Sequence, residues 1–258
     1  MAQNGEFTQS IAALDFIVKR PDAKDQAYYQ EVIQALLSSK YGRLKMQAEP
    51  SSVEVNNLSN EYAQTLDELG RFRFTIITVM EYAELLSYYQ KQTDKAIEEL
   101  ENLLVNPGLK MTDKAPVKLL LGDIYLLNDY PWEATLLFSQ VEKDFKDDEM
   151  GFEARLRNAK LSFYIGEFEW AKAQLDILKV ATGKRIANDA LNLSLFIAEN
   201  LDADSSTRAL DLYGKADLLH LRNQDSLALQ TLDSIFMLSL YHEIFDNVWM
   251  RQAEILRA

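Results

Sequence analysis

The chain has 258 residues, 48% of them apolar, with only 9 Gly and 5 Pro. So few chain-breaking residues beside so much apolar mass point to long helices around a continuous core, in one or two domains. Its 27 Lys and Arg stand against 40 Asp and Glu, a net charge of −13, and it has no Cys. That balance argues against nucleic acid and an anionic membrane surface, and the lack of thiols excludes disulfides and cysteine-held metal.

Apolar spacing predicts thirteen helices, over about 7–19, 23–39, 52–68, 72–90, 93–105, 113–127, 131–144, 149–164, 167–181, 186–200, 205–222, 224–237 and 239–256. No strand-like alternation bounded by turn residues stands out. Ser51 followed by Glu54 has the pattern of a capping box, which starts the third helix after Pro50. Asn106-Pro107-Gly108 stops the fifth, with Gly108 expected in a left-handed cap. Pro131 suits a first helical turn, where its missing N–H would be unpaired anyway. The charged stretch from Asp144 to Glu149 reads as a solvated corner. The densest apolar run, Phe74 to Met80, is far short of the roughly 18 residues that span a bilayer.

A hairpin signature recurs roughly every 37 residues. One unit carries Gly122, Tyr125, Ala134 and Phe138. The next carries Ala159, Gly166, Phe168 and Ala171, and a later one Ala216, Leu219, Asn223, Ala228 and Leu232. In all three the paired small residues, Gly122 with Ala134, Ala159 with Ala171 and Ala216 with Ala228, are twelve positions apart. An earlier copy has Ala96, Leu100 and Leu103, but Glu84 stands where the small residue belongs. Small residues let paired helices approach, and bulky ones such as Tyr125, Phe138 and Leu175 fill the space between hairpins. One hairpin cannot bury its apolar stripe alone, so several must stack. The wider gap between Ala171 and Ala228 is one repeat plus an inserted helix near 186–200, expected to cap one stack and start another.

These units resemble tetratricopeptide repeats. The segments Leu121 to Leu127, Trp132 to Leu137 and Ser139 to Phe145 are similar to one group within that family, as are Arg157 to Ser162, Phe168 to Ala171, Ile186 to Leu191 and Thr231 to Ile235. That group is the long, exported and largely uncharacterised repeat proteins of Bacteroidetes-type bacteria. The resemblance is strong over about 115–235, looser over 51–114 and faint before residue 50. It implies a right-handed α-solenoid of antiparallel hairpins, with a divergent amino-terminal hairpin at 1–50 and the repeat array over 51–258. It also implies a periplasmic or cell-envelope parent; without it the cytoplasm is the default. No signal peptide is visible. Met1 to Gly5 looks like an artificial start and the last helix ends abruptly at Ala258, so the chain is expected to be a segment of something longer.

Catalytic motifs fail on inspection. His242-Glu243 begins like a zinc-protease helix, yet Asp246 occupies the place of the second histidine. Asp202, Asp204 and Ser206 mimic a calcium loop, but Thr207 and Tyr213 replace its glycine and glutamate, so helix capping by Asp204 or Ser205 is the expectation there. No glycine run cradles phosphate. The sequence therefore predicts a non-catalytic interaction scaffold with no cofactor and no metal, binding a protein or peptide in a groove lined by the first helix of each hairpin. Outward positions on those helices are Tyr88, Tyr89, Asp123, Leu127, Lys160, Phe163, Tyr164, Asp217 and His220. Rings mixed with a few charges suit peptide recognition. Leu119, Asp123 and Leu156 do not match the carboxylate-clamp subclass of the family, which Lys160 fits only in part. The alternative is a purely architectural segment that self-associates. Its candidate surface is the run Ile235 to Tyr241 with Ile244 and Phe245, through which a homodimer would form.

Overall fold

A computed structural model of the chain describes residues 7–47, 49–181, 183–202, 207–238 and 243–257. Among these every regular element is helical. The helices fall into two compact units that part between Ile124 and Tyr125, inside a helix. The first unit holds α1 (Phe7–Val18), α2 (Tyr29–Lys45), α3 (Ser52–Leu69), α4 (Ile76–Glu84), α5 (Thr93–Leu104) and most of α6 (Met111–Leu127). The second holds α7 (Pro131–Asp144), α8 (Glu149–Tyr164), α9 (Phe168–Ala181), α10 (Lys184–Asp202), α11 (Arg208–Leu221), α12 (Asp225–Ile235) and α13 (Phe245–Arg257). The expected capping by Asp204 or Ser205, the His242 motif and residues 239–241 of the carboxy-terminal run lie outside the described residues.

In the first unit α1 pairs with α2, and α2 packs in turn on α3 and α4. The first hairpin thus lies in the same compact unit as α3, α4 and α5. The second helix starts six residues later than its apolar pattern suggests, because Ala23–Asp25 closes a short 3₁₀ turn. It then runs on to Lys45, since Leu37, Tyr41 and Leu44 continue the same buried stripe.

The hairpin turns show the repeat more clearly than the helices do. Lys91, Asp129, Gly166 and Asn223 all adopt left-handed backbone, at φ 55°, 63°, 86° and 55°. Each stands five residues before a fully buried alanine of the following helix: Ala96, Ala134, Ala171 and Ala228. After the turn an N–H folds back onto the preceding helix in the manner of a Schellman cap. Tyr130 donates to Tyr125, Glu167 to Ser162 and Gln224 to Leu219, at 2.9, 2.8 and 2.9 Å. In the earliest copy Gln92 donates to Leu86, one residue further back, at 2.9 Å.

That extra residue explains the copy that looked poor. Leu85–Tyr89 forms a single π turn, which inserts one residue into the helix continuing α4. The insertion moves the small-residue position from Glu84 to Ala83, and Ala83 is fully buried there. The Ser87 hydroxyl donates to the carbonyls of Ala83 and Glu84, at 2.8 and 3.2 Å, where the helical ladder is disturbed. Glu84, displaced by one place, accepts from the Tyr41 hydroxyl at 2.8 Å.

Other ends follow their local chemistry with two changes. Ser51 Oγ accepts from the Glu54 N–H at 3.2 Å, so half of the capping box forms. The Glu54 carboxylate turns instead to Arg43 and Gln47, at 3.0 and 3.1 Å. Gly108 is not left-handed. The stop after α5 is made by Asn106, whose Oδ1 accepts from the Gly108 N–H at 2.8 Å while its amide donates to the Arg71 carbonyl at 3.0 Å. Pro131 does open α7.

The core of the second unit joins Ala159, Phe163, Ala171, Leu175, Ile197, Ala216 and Leu232 in one buried cluster. Helix α10 packs along α9, while α11 reaches past it onto α8. Backbones of α11 and α8 come close at Gly214, where a Cβ would stand only 2.8 Å from the Phe163 carbonyl oxygen. Helices α8 through α13 share one compact unit. At the carboxy-terminal end Ile235 and Ile244 are buried within the chain. Phe236 packs on Phe245 and Trp249, with ring centroids 4.9 and 5.7 Å apart.

Candidate functional site

The second unit contains a cleft of about 380 Å³ walled by four helices. Its volume falls in the lower range of sites that take a small ligand or a few side chains of a peptide. Helix α8 contributes Lys160, Phe163 and Tyr164. Helix α10 contributes Asp189, Asn192, Leu193 and Phe196, whose spacing puts all four on one helical face. Tyr213 and Asp217 of α11, one turn apart, form a third wall, and Arg251 and Glu254 of α13 the fourth.

The floor is aromatic. Phe163 is buried, and its ring lies 6.0 Å from those of both Tyr164 and Phe196. Phe196 continues the contact to Tyr213, with centroids 4.6 Å apart. The Gly214 contact with α8 is what brings Tyr213 and Asp217 to this floor.

One ion bridge ties two walls together. Arg251 Nε donates to Asp217 Oδ1 at 2.6 Å, and its Nη1 to Glu254 Oε2 at 2.8 Å. Burial pushes the Asp217 carboxyl above its ordinary range, and the Arg251 charge opposes that rise. Burial works against the charge on Arg251 too, but Asp217 outweighs it and the guanidinium stays firmly protonated. The Tyr213 phenol is held above its usual range, first by burial and then by the neighbouring Asp217 charge. Among the described residues Asp189 has one ion-pair partner, Arg185, at 3.9 Å and near the surface. Lys160 has no carboxylate within 4.0 Å among the described residues.

Four of the nine residues singled out from sequence therefore meet in this cleft: Lys160, Phe163, Tyr164 and Asp217. Phe163 serves as floor and core rather than as an outward groove residue, because α10 and α11 close over it. His220, one turn from Asp217, does not line the cleft, and its Nδ1 lies 2.6 Å from Asp225 Oδ1. Tyr88 and Tyr89 belong to the π turn of the first unit, where Tyr89 packs edge-on to Tyr41 at 6.4 Å. Asp123 and Leu127 are both half-buried on α6, either side of the point where the units part. The sequence reading missed every residue from α10 and α13. The only local signal for α10 was the one-face spacing of Asp189, Asn192, Leu193 and Phe196.

Two other polar clusters are satisfied internally. In the first unit Glu81 Oε2 accepts from Ser38 and Tyr62 hydroxyls at 2.7 and 2.9 Å. Burial raises the Glu81 carboxyl, while those two hydroxyls and Lys45 hold it down. A second cleft, of about 360 Å³ along α2 and α3, is lined by charges already paired: Lys40 with Glu61 at 2.5 Å and Arg43 with Glu54 at 3.0 Å. Among the described residues no group of three or more His, Asp or Glu is arranged to hold a metal ion. None of their helices is long and apolar enough to cross a membrane.

The chain matches no protein-family model and no curated protein. Among solved structures it is similar to a tetratricopeptide repeat protein from Parabacteroides merdae, with a TM-score of 0.54 and 10% sequence identity. The alignment covers 98% of this chain and 94% of that one. At so low an identity the likeness carries the fold alone: all-α, built from tetratricopeptide-like helical hairpins in the manner of an α-solenoid.

Proposed function

We propose that the chain is a non-catalytic protein-interaction scaffold, and that the cleft of its second unit holds a segment of a protein partner. The fold, whose tetratricopeptide type commonly serves in protein association, supports this reading. The observation that carries it is the aromatic floor of Phe163, Tyr164, Phe196 and Tyr213 beneath a rim of fixed charges. Rings give contact area with little entropy to lose, and a polar rim sets orientation. Peptides selected from a displayed library on the immobilised chain, then titrated calorimetrically, test the proposal. Tyr164→Ala should weaken the selected peptides by about tenfold or more, the loss typical of a buried ring at an interface. Enriched peptides indifferent to Tyr164→Ala would move the site elsewhere, and no enrichment would sink the reading.

One observation favours a second reading, an architectural segment that pairs with its own kind. Met237, Met250 and Leu256 are exposed at 86%, 65% and 75% near the Phe236–Trp249 cluster. A homodimer through the carboxy-terminal helices would cover them. Sedimentation of the purified chain decides the matter, since a strict monomer at high concentration removes that reading.

A further inference from the structure

The charges around the cleft indicate what kind of segment would enter it. Three carboxylates, Asp189, Asp217 and Glu254, face two cations, Lys160 and Arg251. Arg251 is already committed to two of those acids, at 2.6 and 2.8 Å. Among the described residues Asp189 has just its distant ion pair with Arg185, with 42% of its side chain exposed, and Glu254 keeps 60% exposed. The cleft thus has a surplus of negative charge at its rim above a floor of aromatic faces. The chain as a whole adds to it, with its net charge of −13. Aromatic faces attract a cation placed over them, and carboxylates beside them strengthen the attraction.

We propose that the cleft receives a basic segment of a protein partner, with an arginine or lysine side chain lying over the Tyr164–Phe196–Tyr213 surface and its charge met by Asp189 and Glu254. This rests on the cleft being the binding site. Lys160, the one cation of the cleft that no carboxylate neutralises among the described residues, then acts as a selector: it repels the incoming charge and sets how many basic groups are accepted. For an acidic segment its role would reverse, so the sign of its effect separates the two.

The test uses the full chain and three labelled, end-capped peptides of equal length, alternating leucine with arginine, with glutamate or with serine. Binding is followed by fluorescence anisotropy at low and at moderate salt. The arginine peptide should bind best. Asp189→Asn and Glu254→Gln should each weaken it by about three- to fivefold, and Lys160→Met should tighten it by a similar factor. Glu98→Gln, a change of equal charge on an exposed residue of the first unit, should leave it unaltered. Preference for the glutamate peptide, abolished by Lys160→Met, would overturn the basic-segment inference yet keep the cleft as the site. Equal weakening by Glu98→Gln and Asp189→Asn would reduce the effect to overall charge and overturn it as well. Binding that no cleft substitution alters, or no binding at all, would overturn the inference together with the proposed site.

Discussion

Replacing Arg251 with methionine removes the cation that Asp217 faces while keeping most of the side-chain volume. Breaking a buried ion pair from one side costs about 3–5 kcal/mol, because the remaining charge is left without a partner. Here Arg251 and Asp217 keep 24% and 18% of their side-chain exposure, so water softens the loss. We expect Arg251→Met to destabilise the second unit by about 2–3 kcal/mol in urea unfolding followed by far-ultraviolet circular dichroism. Adding Asp217→Leu should recover most of that loss, because the stranded carboxylate goes with it. The pH dependence has a definite sign. Burial already raises the Asp217 carboxyl above its ordinary range, and removing Arg251 raises it further. A carboxyl raised on folding binds its proton more tightly in the folded state. The penalty of Arg251→Met is therefore full above the folded value and fades as pH falls toward the ordinary carboxylate range. A loss under about 0.5 kcal/mol, or a double variant no better than the single, would show that this pair does not join α11 to α13.

Lys91 holds a left-handed backbone with a full side chain, so Lys91→Gly should stabilise the first unit by about 0.5–1 kcal/mol, seen as a higher urea midpoint. Ala171→Leu, at a fully buried contact between α8 and α9, should destabilise the second unit by about 1–3 kcal/mol through overpacking. The bond from Lys179, helped by Ser194 and Lys172, holds the Asp176 carboxyl down at about 2. Its contribution is present above the ordinary carboxylate value and lost as pH falls toward 2. With 41% of the side chain exposed, Asp176→Asn should lower stability by less than about 1 kcal/mol at neutral pH, and urea midpoints of the two proteins should converge in acid.

The hairpin architecture was readable because it depends on local rules: a small residue on each paired helix, and a turn residue that tolerates left-handed backbone. Gly166 and Asn223, which belong to the repeat signature, stand at two such turns. Asp129 and Lys91 did not stand out, since a left-handed lysine has no sequence signature. The same blind spot made the earliest copy look defective. Fixed spacing pointed to Glu84, whereas the π turn at Leu85–Tyr89 shifts the register by one and makes Ala83 the packing residue. The candidate site was half legible for a comparable reason. Lys160, Phe163, Tyr164 and Asp217 follow from the register of α8 and α11. The walls from α10 and α13 depend on where an inserted helix and a terminal one pack, which no period in the sequence specifies.

The division at Ile124 and Tyr125 also sorts the chromophores of the chain. All 3 Trp, at 132, 170 and 249, lie in the second unit, while seven of the 12 Tyr lie in the first. Indole emission therefore reports on one unit alone. Following it alongside circular dichroism, which sees both, shows whether the units melt together or in turn. Trp249, stacked on Phe236 beside the arm that carries Arg251, is placed to signal the release of α13 before the rest of its unit opens.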